Sequence, residues 1–250
     1  MVPIDPGATR VDLTRKLPLA DRSLDAIYGY HVLEHLDRHE SRALLQECRR
    51  VLRPGGWLRI STPDFKHQVA SYLGALEAVR ARPGDSAAKT RLEFMRLVLL
   101  DQRVRRRSGG RTLEFLRRNS LDREAAREIL GEVGPWFVDL VEREGSTRAK
   151  DRGNRPAAAA RIVAAVRRRL RWRRSTPWWA VDCRETRELE ISTWDRVSLG
   201  RELQAAGFVE VDATTVDRSR IAGWERFDLD RCPASGRPLE ISTIAEGRSP

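Results

Sequence analysis

Leu24 to Tyr30 (LDAIYGY) is an apolar, aromatic run of strand length. Leu44, Leu45, Cys48, Val51 and Leu52 then recur at i, i+1, i+4, i+7 and i+8, which is one apolar stripe of a helix. Asp37 is placed to cap that helix. Glu40, three residues on, completes a capping box in which Asp takes the place of Ser or Thr. Pro54-Gly55-Gly56 stops the helix and turns the chain, Trp57 to Ser61 (WLRIS) returns to a strand pattern, and Thr62-Pro63-Asp64 ends it. Strand, helix and strand in this order form a βαβ unit, whose two strands are expected to be parallel and buried.

The pattern then changes. Val69 to Val79 and Leu92 to Val104 have helical apolar spacing, and a loop around Arg107-Ser108-Gly109-Gly110 separates them from Leu113 to Leu116. Glu124 to Leu130 and Trp136 to Val141 are shorter helical candidates, and Ala157 to Leu170 is a longer one. After residue 190 the α/β rhythm returns. Ser198 is expected to cap a helix from Leu199 to Ala206, closed by Gly207, followed by strands at Phe208 to Thr215 and Leu239 to Ala245. The domain expectation is an α/β core from 1–64 and 191–250, interrupted by a mainly helical insertion or lid over 65–190.

Composition narrows the class. The 250 residues are 40% hydrophobic and 33% charged, and no run of apolar residues is long enough to span a bilayer, so no integral membrane segment is expected. Met1 to Asp12 lacks the basic and apolar regions of a secretory signal. Cys48, Cys183 and Cys232 are odd in number and widely spaced, which argues against a disulfide framework or zinc knuckle and for a reducing, cytoplasmic setting.

The net charge of +11 is unevenly placed. Residues 1–64 carry 10 basic and 9 acidic side chains, residues 65–190 carry 29 and 17, and residues 191–250 carry 8 and 10. Within the basic middle, Arg161 to Arg174 (RIVAAVRRRLRWRR) holds seven arginines and no acid, with Ile162, Val163, Val166 and Leu170 as a stripe. A solvated helix face, an anionic membrane or lipid-linked substrate surface, and an RNA contact aided by Trp172, Trp178 and Trp179 are the three readings of this segment.

His31-Val32-Leu33-Glu34-His35 has the spacing of an inverted zinc-peptidase motif. That chemistry requires a long helix through both histidines and a third ligand. The strand pattern of Leu24 to Tyr30 runs directly into the motif, and no further ligand motif follows, so no metal is expected.

Residues 11–64, VDLTRKLPLADRSLDAIYGYHVLEHLDRHESRALLQECRRVLRPGGWLRISTPD, resemble class I S-adenosylmethionine-dependent methyltransferases of the broad small-molecule group, type 11-like. The acidic residue, Leu-Pro, Ser-x-Asp, strand, Leu-Glu-His, helix, Pro-Gly-Gly and strand follow in the family's order. TWDRVSLGRELQAAGFVEV (193–211) is similar to the family's late Leu-x-x-Ala-Gly-Phe segment. The resemblance implies a Rossmann-like, mostly parallel sheet of strand order 3-2-1-4-5-7-6 with a helical insertion. It implies a cofactor site in which Asp12 accepts from the adenine amino group, Asp5 grips the ribose hydroxyls, and Leu13 and Tyr30 contribute. Either His31 or His35 would act as general base, because imidazole titrates near neutral pH.

One family feature is missing. No Gly-x-Gly occurs anywhere in the 250 residues, and the matching text begins at the family's second strand. The expectation is therefore a sheet lacking its first strand, in an N-terminally truncated form or a non-catalytic relative, with weak binding of S-adenosylmethionine. The open edge of Leu24 to Tyr30 would drive aggregation or homo-oligomer pairing, or be filled by Val2 to Ile4. The function expected from the resemblance is methyl transfer to a small-molecule or glycan/lipid-linked acceptor. A pseudo-methyltransferase scaffold and a basic RNA- or membrane-surface-binding protein are the alternatives.

Overall fold

The computed structural model describes residues 9, 11–107, 109–118, 126, 129–130, 138, 141–142, 188–231 and 242–250. Asp5, Val2 to Ile4, the Ala157 to Leu170 helix and the Arg161 to Arg174 segment lie outside the described residues, as do most of the two shorter helical candidates. The chain forms two compact units. One is built from Met1–Asp64, Ile191–Asp230 and Ser242–Pro250, the other from Phe65–Glu190 and Arg231–Ile241.

The first unit is a sheet with two helices on one face. Strand β1 (Leu24–Tyr30) leads through a short 3-10 turn (Leu33–His35) into helix α1 (Arg38–Val51), and α1 leads into strand β2 (Leu52–Pro63). Asp37 accepts from the Glu40 backbone at 2.7 Å while Glu40 accepts from the Asp37 backbone at 3.1 Å, so the capping box is complete. The α1 stripe of Leu44, Leu45, Cys48 and Val51 is buried. β2 is longer than the Trp57 to Ser61 pattern suggests. Its register against β1 jumps from Leu24↔Leu52 to Ala26↔Trp57, so Arg53 to Gly56 bulge out within the strand instead of preceding it. Gly55 permits this with φ of 82°.

The remaining elements of this unit follow the insertion. Helix α5 (Arg196–Ala205) precedes strands β3 (Val209–Thr214) and β4 (Ser242–Arg248). Asp195, not Ser198, is the N-cap of α5. Ser198 is the third helical residue, returning its hydroxyl to the Asp195 backbone, because two residues ahead of the apolar stripe also have helical geometry. β1 pairs parallel to β2, β2 antiparallel to β4, and β4 antiparallel to β3. The order β1-β2-β4-β3 thus has three strands in one direction and β4 reversed, a Rossmann-like arrangement that corresponds to the 4-5-7-6 half of the order given above. β1 ends the sheet among the described residues. Its residues are partly buried, with Asp25 and Ala26 exposed, so it is not the strand buried on both faces that its composition suggested.

The two faces of this sheet differ. Leu58, Ile60 and Ala245 point to the side covered by α1 and α5, where Leu33, Leu45, Cys48, Trp194, Leu199, Leu203 and Phe208 complete the core. At Gly29 a Cβ would lie 2.7 Å from Ile60 Cδ1, so a larger residue there would require the tip of the Ile60 side chain to shift. On the opposite side the Arg59 side chain is fully buried. It donates to Glu246 at 2.6 Å, to Asp230 at 2.6 Å, and to the carbonyls of Thr215 and Arg218. Trp224 donates to Asp230 and packs 5.1 Å from Tyr28.

The second unit contains helices α2 (Phe65–Ala81), α3 (Ser86–Val104) and α4 (Gly110–Arg118). Phe94, Val98, Leu113, Leu116, Ala126, Leu130, Val138 and Val141 form its core. Buried Asp101 accepts from the Thr112 backbone at 2.8 Å and its hydroxyl at 2.9 Å, fixing the start of α4. Among the described residues no helix is long and apolar enough to cross a membrane.

Candidate functional site

A ligand in an open α/β sheet binds beyond the carboxyl ends of its parallel strands. Here that rim holds the end of β1, the turn after it, the end of β2 and the start of β4. The chain leaves β1 at His31 in the left-handed region, with φ of 50°. Its backbone still donates to Ser61 of β2 at 2.9 Å, while the ring folds back to stack on Tyr30 with centroids 4.3 Å apart. This conformation is uncommon for a non-glycine residue.

Two polar groups flank the His31 ring. Nδ1 lies 3.5 Å from Glu34 Oε1, and Nε2 lies 3.2 Å from Ser242 Oγ at the start of β4. Glu34 is only 2% exposed. Burial pushes the His31 pKa down to about 4, with the charge of nearby His35 adding to the effect. The ring is therefore neutral at pH 7. Among the described residues, Ser61 Oγ and Thr62 Oγ1 near the end of β2 are buried without a hydrogen-bond partner.

The turn itself is pinned by the segment that returns from the insertion. The Ser192 hydroxyl lies 2.9 Å from the Leu33 carbonyl and 2.8 Å from that of Leu36, its backbone donates to the Glu34 carbonyl, and Trp194 donates to its oxygen. Arg38 covers the Trp194 ring at 3.8 Å. His35 ends the 3-10 turn and is half-buried. No α-helix runs through His31 and His35, so the zinc-peptidase geometry is not formed. Among the described residues no group of three His, Cys, Asp or Glu side chains is arranged to hold a metal ion.

The other expected site residues are placed as follows. Asp12 is in a turn, accepting from the Thr14 backbone at 3.0 Å and hydroxyl at 2.7 Å and pairing with Arg15 at 3.2 Å. Its side chain is 54% exposed, so the carboxylate still faces solvent. Leu13 is partly buried against the first core. The following Leu17-Pro18 stretch is held by α1: Glu47 accepts from the Leu17 backbone at 2.9 Å, and Arg50 donates to the carbonyls of Leu17 and Leu19. The structure thus brings Tyr30 and His31 into contact and adds Glu34, Ser192 and Ser242. Glu34 was visible as part of the Leu-Glu-His phrase. Ser242 had no local signal, since it lies 211 residues from its partner.

Residues 6–60 match a family model described as a methyltransferase domain. Over 59 residues the chain is 42% identical to a probable S-adenosylmethionine-dependent methyltransferase of Mycolicibacterium smegmatis, covering 22% of each chain. Over 49 residues it is 43% identical to a probable S-adenosylmethionine-dependent methyltransferase of Mycobacterium tuberculosis, covering 20% of this chain and 17% of that one. The aligned stretch therefore spans about a fifth of these relatives' length. The match overlaps the segment whose residues 11–64 resemble the methyltransferase family, and the sheet order is consistent with the Rossmann-like arrangement that resemblance implies.

Proposed function

We propose that this protein transfers a methyl group from S-adenosylmethionine to a small-molecule or glycan/lipid-linked acceptor. The observation that supports it is the neutral, rim-facing His31 at the carboxyl end of β1, within the segment matched to the methyltransferase family. The described residues suit the adenosine part of the donor: Asp12 keeps an exposed carboxylate that can accept from an amino group or hydroxyls, Leu13 offers an apolar contact, and Tyr30 an aromatic ring. Asp5 is assigned to the ribose on the resemblance alone. When bound, the donor supplies an activated methyl group on a sulfonium. The protein's own task is to hold the acceptor in line and accept its proton, and most of the acceleration in such a transfer comes from positioning. His31 at Nε2 is the proton acceptor in this reading.

Titration calorimetry with S-adenosylmethionine tests the proposal. Saturable binding is expected, and Asp12→Ala should weaken it by about 1–3 kcal/mol through a lost hydrogen bond. Binding indifferent to Asp12→Ala would place the donor elsewhere. No binding at all would favour a non-catalytic scaffold.

A further inference from the structure

The end of α3 and the start of α4, both within the second unit, concentrate positive charge. Between Phe94 and Leu113 there are six arginines and one acid, Asp101. Asp101 is only 4% exposed and accepts from the backbone and hydroxyl of Thr112, so its carboxylate is engaged in capping α4. Two of the arginines are engaged as well. Arg105 is buried and pairs with Glu188 at 3.0 Å. Arg103 donates to the Leu99 carbonyl and to Gln68, and lies 3.9 Å from Glu190. The other four, Arg96, Arg106, Arg107 and Arg111, are exposed, and among the described residues none of them forms an ion pair.

Two aliphatic side chains stand in the same place. Leu100 and Val104 are 63% and 67% exposed and lie one turn apart on α3. Arg96 is one turn before Leu100, and Leu97, partly buried, is on the same face, so one stripe of α3 runs from a guanidinium to two open aliphatic groups. Arg106, Arg107 and Arg111 follow directly, in the connection to α4 and in its first turn.

We propose that this stripe and the arginines after it form a docking surface for an anionic lipid bilayer, with Leu100 and Val104 entering the headgroup layer and the four arginines meeting lipid phosphates. The proposal stands apart from the methyl-transfer reading. Water alone solvates the guanidiniums but leaves the aliphatic pair exposed, whereas an anionic membrane surface takes up both. Guanidiniums without an anchoring partner are not held in a fixed fork, which disfavours recognition of one rigid acidic site and suits a fluid layer whose headgroups rearrange around them. A nucleic acid would be gripped through its phosphates and by stacking on aromatic rings, yet exposed aliphatic groups gain nothing from phosphates, and the nearest rings, Phe94 and Phe115, stack on each other 5.4 Å apart. Among the described residues no helix is long and apolar enough to cross a membrane, so the contact proposed is with the surface alone.

Cosedimentation of the full chain with vesicles of phosphatidylcholine, with and without phosphatidylglycerol, tests this. Binding is expected only where phosphatidylglycerol is present, and it should fall as salt is added. Joint replacement of Arg96, Arg106, Arg107 and Arg111 by Gln should lower vesicle affinity at least about tenfold, since each arginine near such a surface contributes about fivefold. Leu100→Ser with Val104→Ser should lower it about fivefold or more, and that loss should persist at high salt because it is not electrostatic. All six positions are exposed, and unchanged thermal midpoints would confirm that both variants fold. Support requires both variants to weaken vesicle binding. No binding to the anionic vesicles, or native affinity in either variant, would overturn the proposal. So would a loss confined to Gln at Arg167, Arg168, Arg169 and Arg171, which would place the contact on the Arg161 to Arg174 segment. Single-stranded RNA binding that exceeds vesicle binding and ignores the Leu100 and Val104 replacements would also overturn it, in favour of a nucleic-acid surface.

Discussion

The two faces of the β1–β4 sheet are built by opposite means. On one, Leu58, Ile60 and Ala245 meet the helices α1 and α5 in an apolar core. On the other, one residue along in the same strands, Arg59 and Glu246 are buried with Asp230 beneath the 215–230 segment. The first face depends on volume and tolerates any apolar side chain of suitable size. The second depends on pairing, because a guanidinium and two carboxylates taken from water are stable only together. Glu246 also accepts from Ser219 at 2.5 Å and from the Arg220 backbone at 2.8 Å, and Trp224 donates to Asp230. One strand thus carries two kinds of constraint in alternating residues.

The largest effects should come from breaking each face in its own way. Arg59→Ala leaves two buried carboxylates without their cation and should cost about 3–5 kcal/mol in chemical denaturation. Arg59→Met combined with Glu246→Gln should recover part of that loss, since it lowers the buried charge. Equal destabilisation by the single and double variants would mean that shape, not charge, governs this face. On the apolar face Leu58→Ala should cost about 2–5 kcal/mol, whereas Leu58→Ile should cost less than about 1.5 kcal/mol. A severe Leu58→Ile defect would erase the contrast.

The rim between the faces should respond to pH. His31 has a folded pKa of about 4 against 6.5 for an unperturbed histidine, so the unfolded chain binds its proton first. Stability from this group is therefore complete above pH 6.5 and is lost as pH falls from 6.5 toward 4, by an amount on the order of 3 kcal/mol. His31→Asn, which tolerates the left-handed backbone, should flatten this slope between pH 4 and 6.5. An unchanged slope would show that other groups carry the acid sensitivity.

The smallest effect belongs to the apolar face. Burial pushes the Cys48 thiol up to about 12, so it should react with thiol reagents only through opening of the core, and its labelling rate should follow global stability. Rapid labelling in native buffer would show that α1 opens locally.

How much was legible in the sequence can be argued from particular residues. β1 was readable to the residue, and the Asp37–Glu40 cap and the α1 stripe were readable too, because propensity, capping and periodicity act over a few positions. The β2 start at Leu52 was not, because Pro54-Gly55-Gly56 marks a turn locally and only its pairing with the end of the chain, through Gly55 to Ser249 and Ser249 to Gly56, keeps it in the strand. Nothing local marks what pairs with the Arg59 guanidinium, which is buried because Glu246 and Asp230 arrive from the other end of the chain.

The candidate site divides in the same way. His31, Glu34 and His35 were visible as one phrase, but their arrangement was not. A helix through the phrase would have set His31 and His35 on one face, whereas the left-handed backbone at His31 turns its ring toward Glu34 and toward β4. The sequence alone determined the local elements, the family likeness of residues 11–64 and the presence of an ionisable pair at the end of β1. Only the tertiary structure decided which atoms face one another, because Ser192 and Ser242 reach the site through sheet pairing and chain return, and such contacts leave no trace in neighbouring residues.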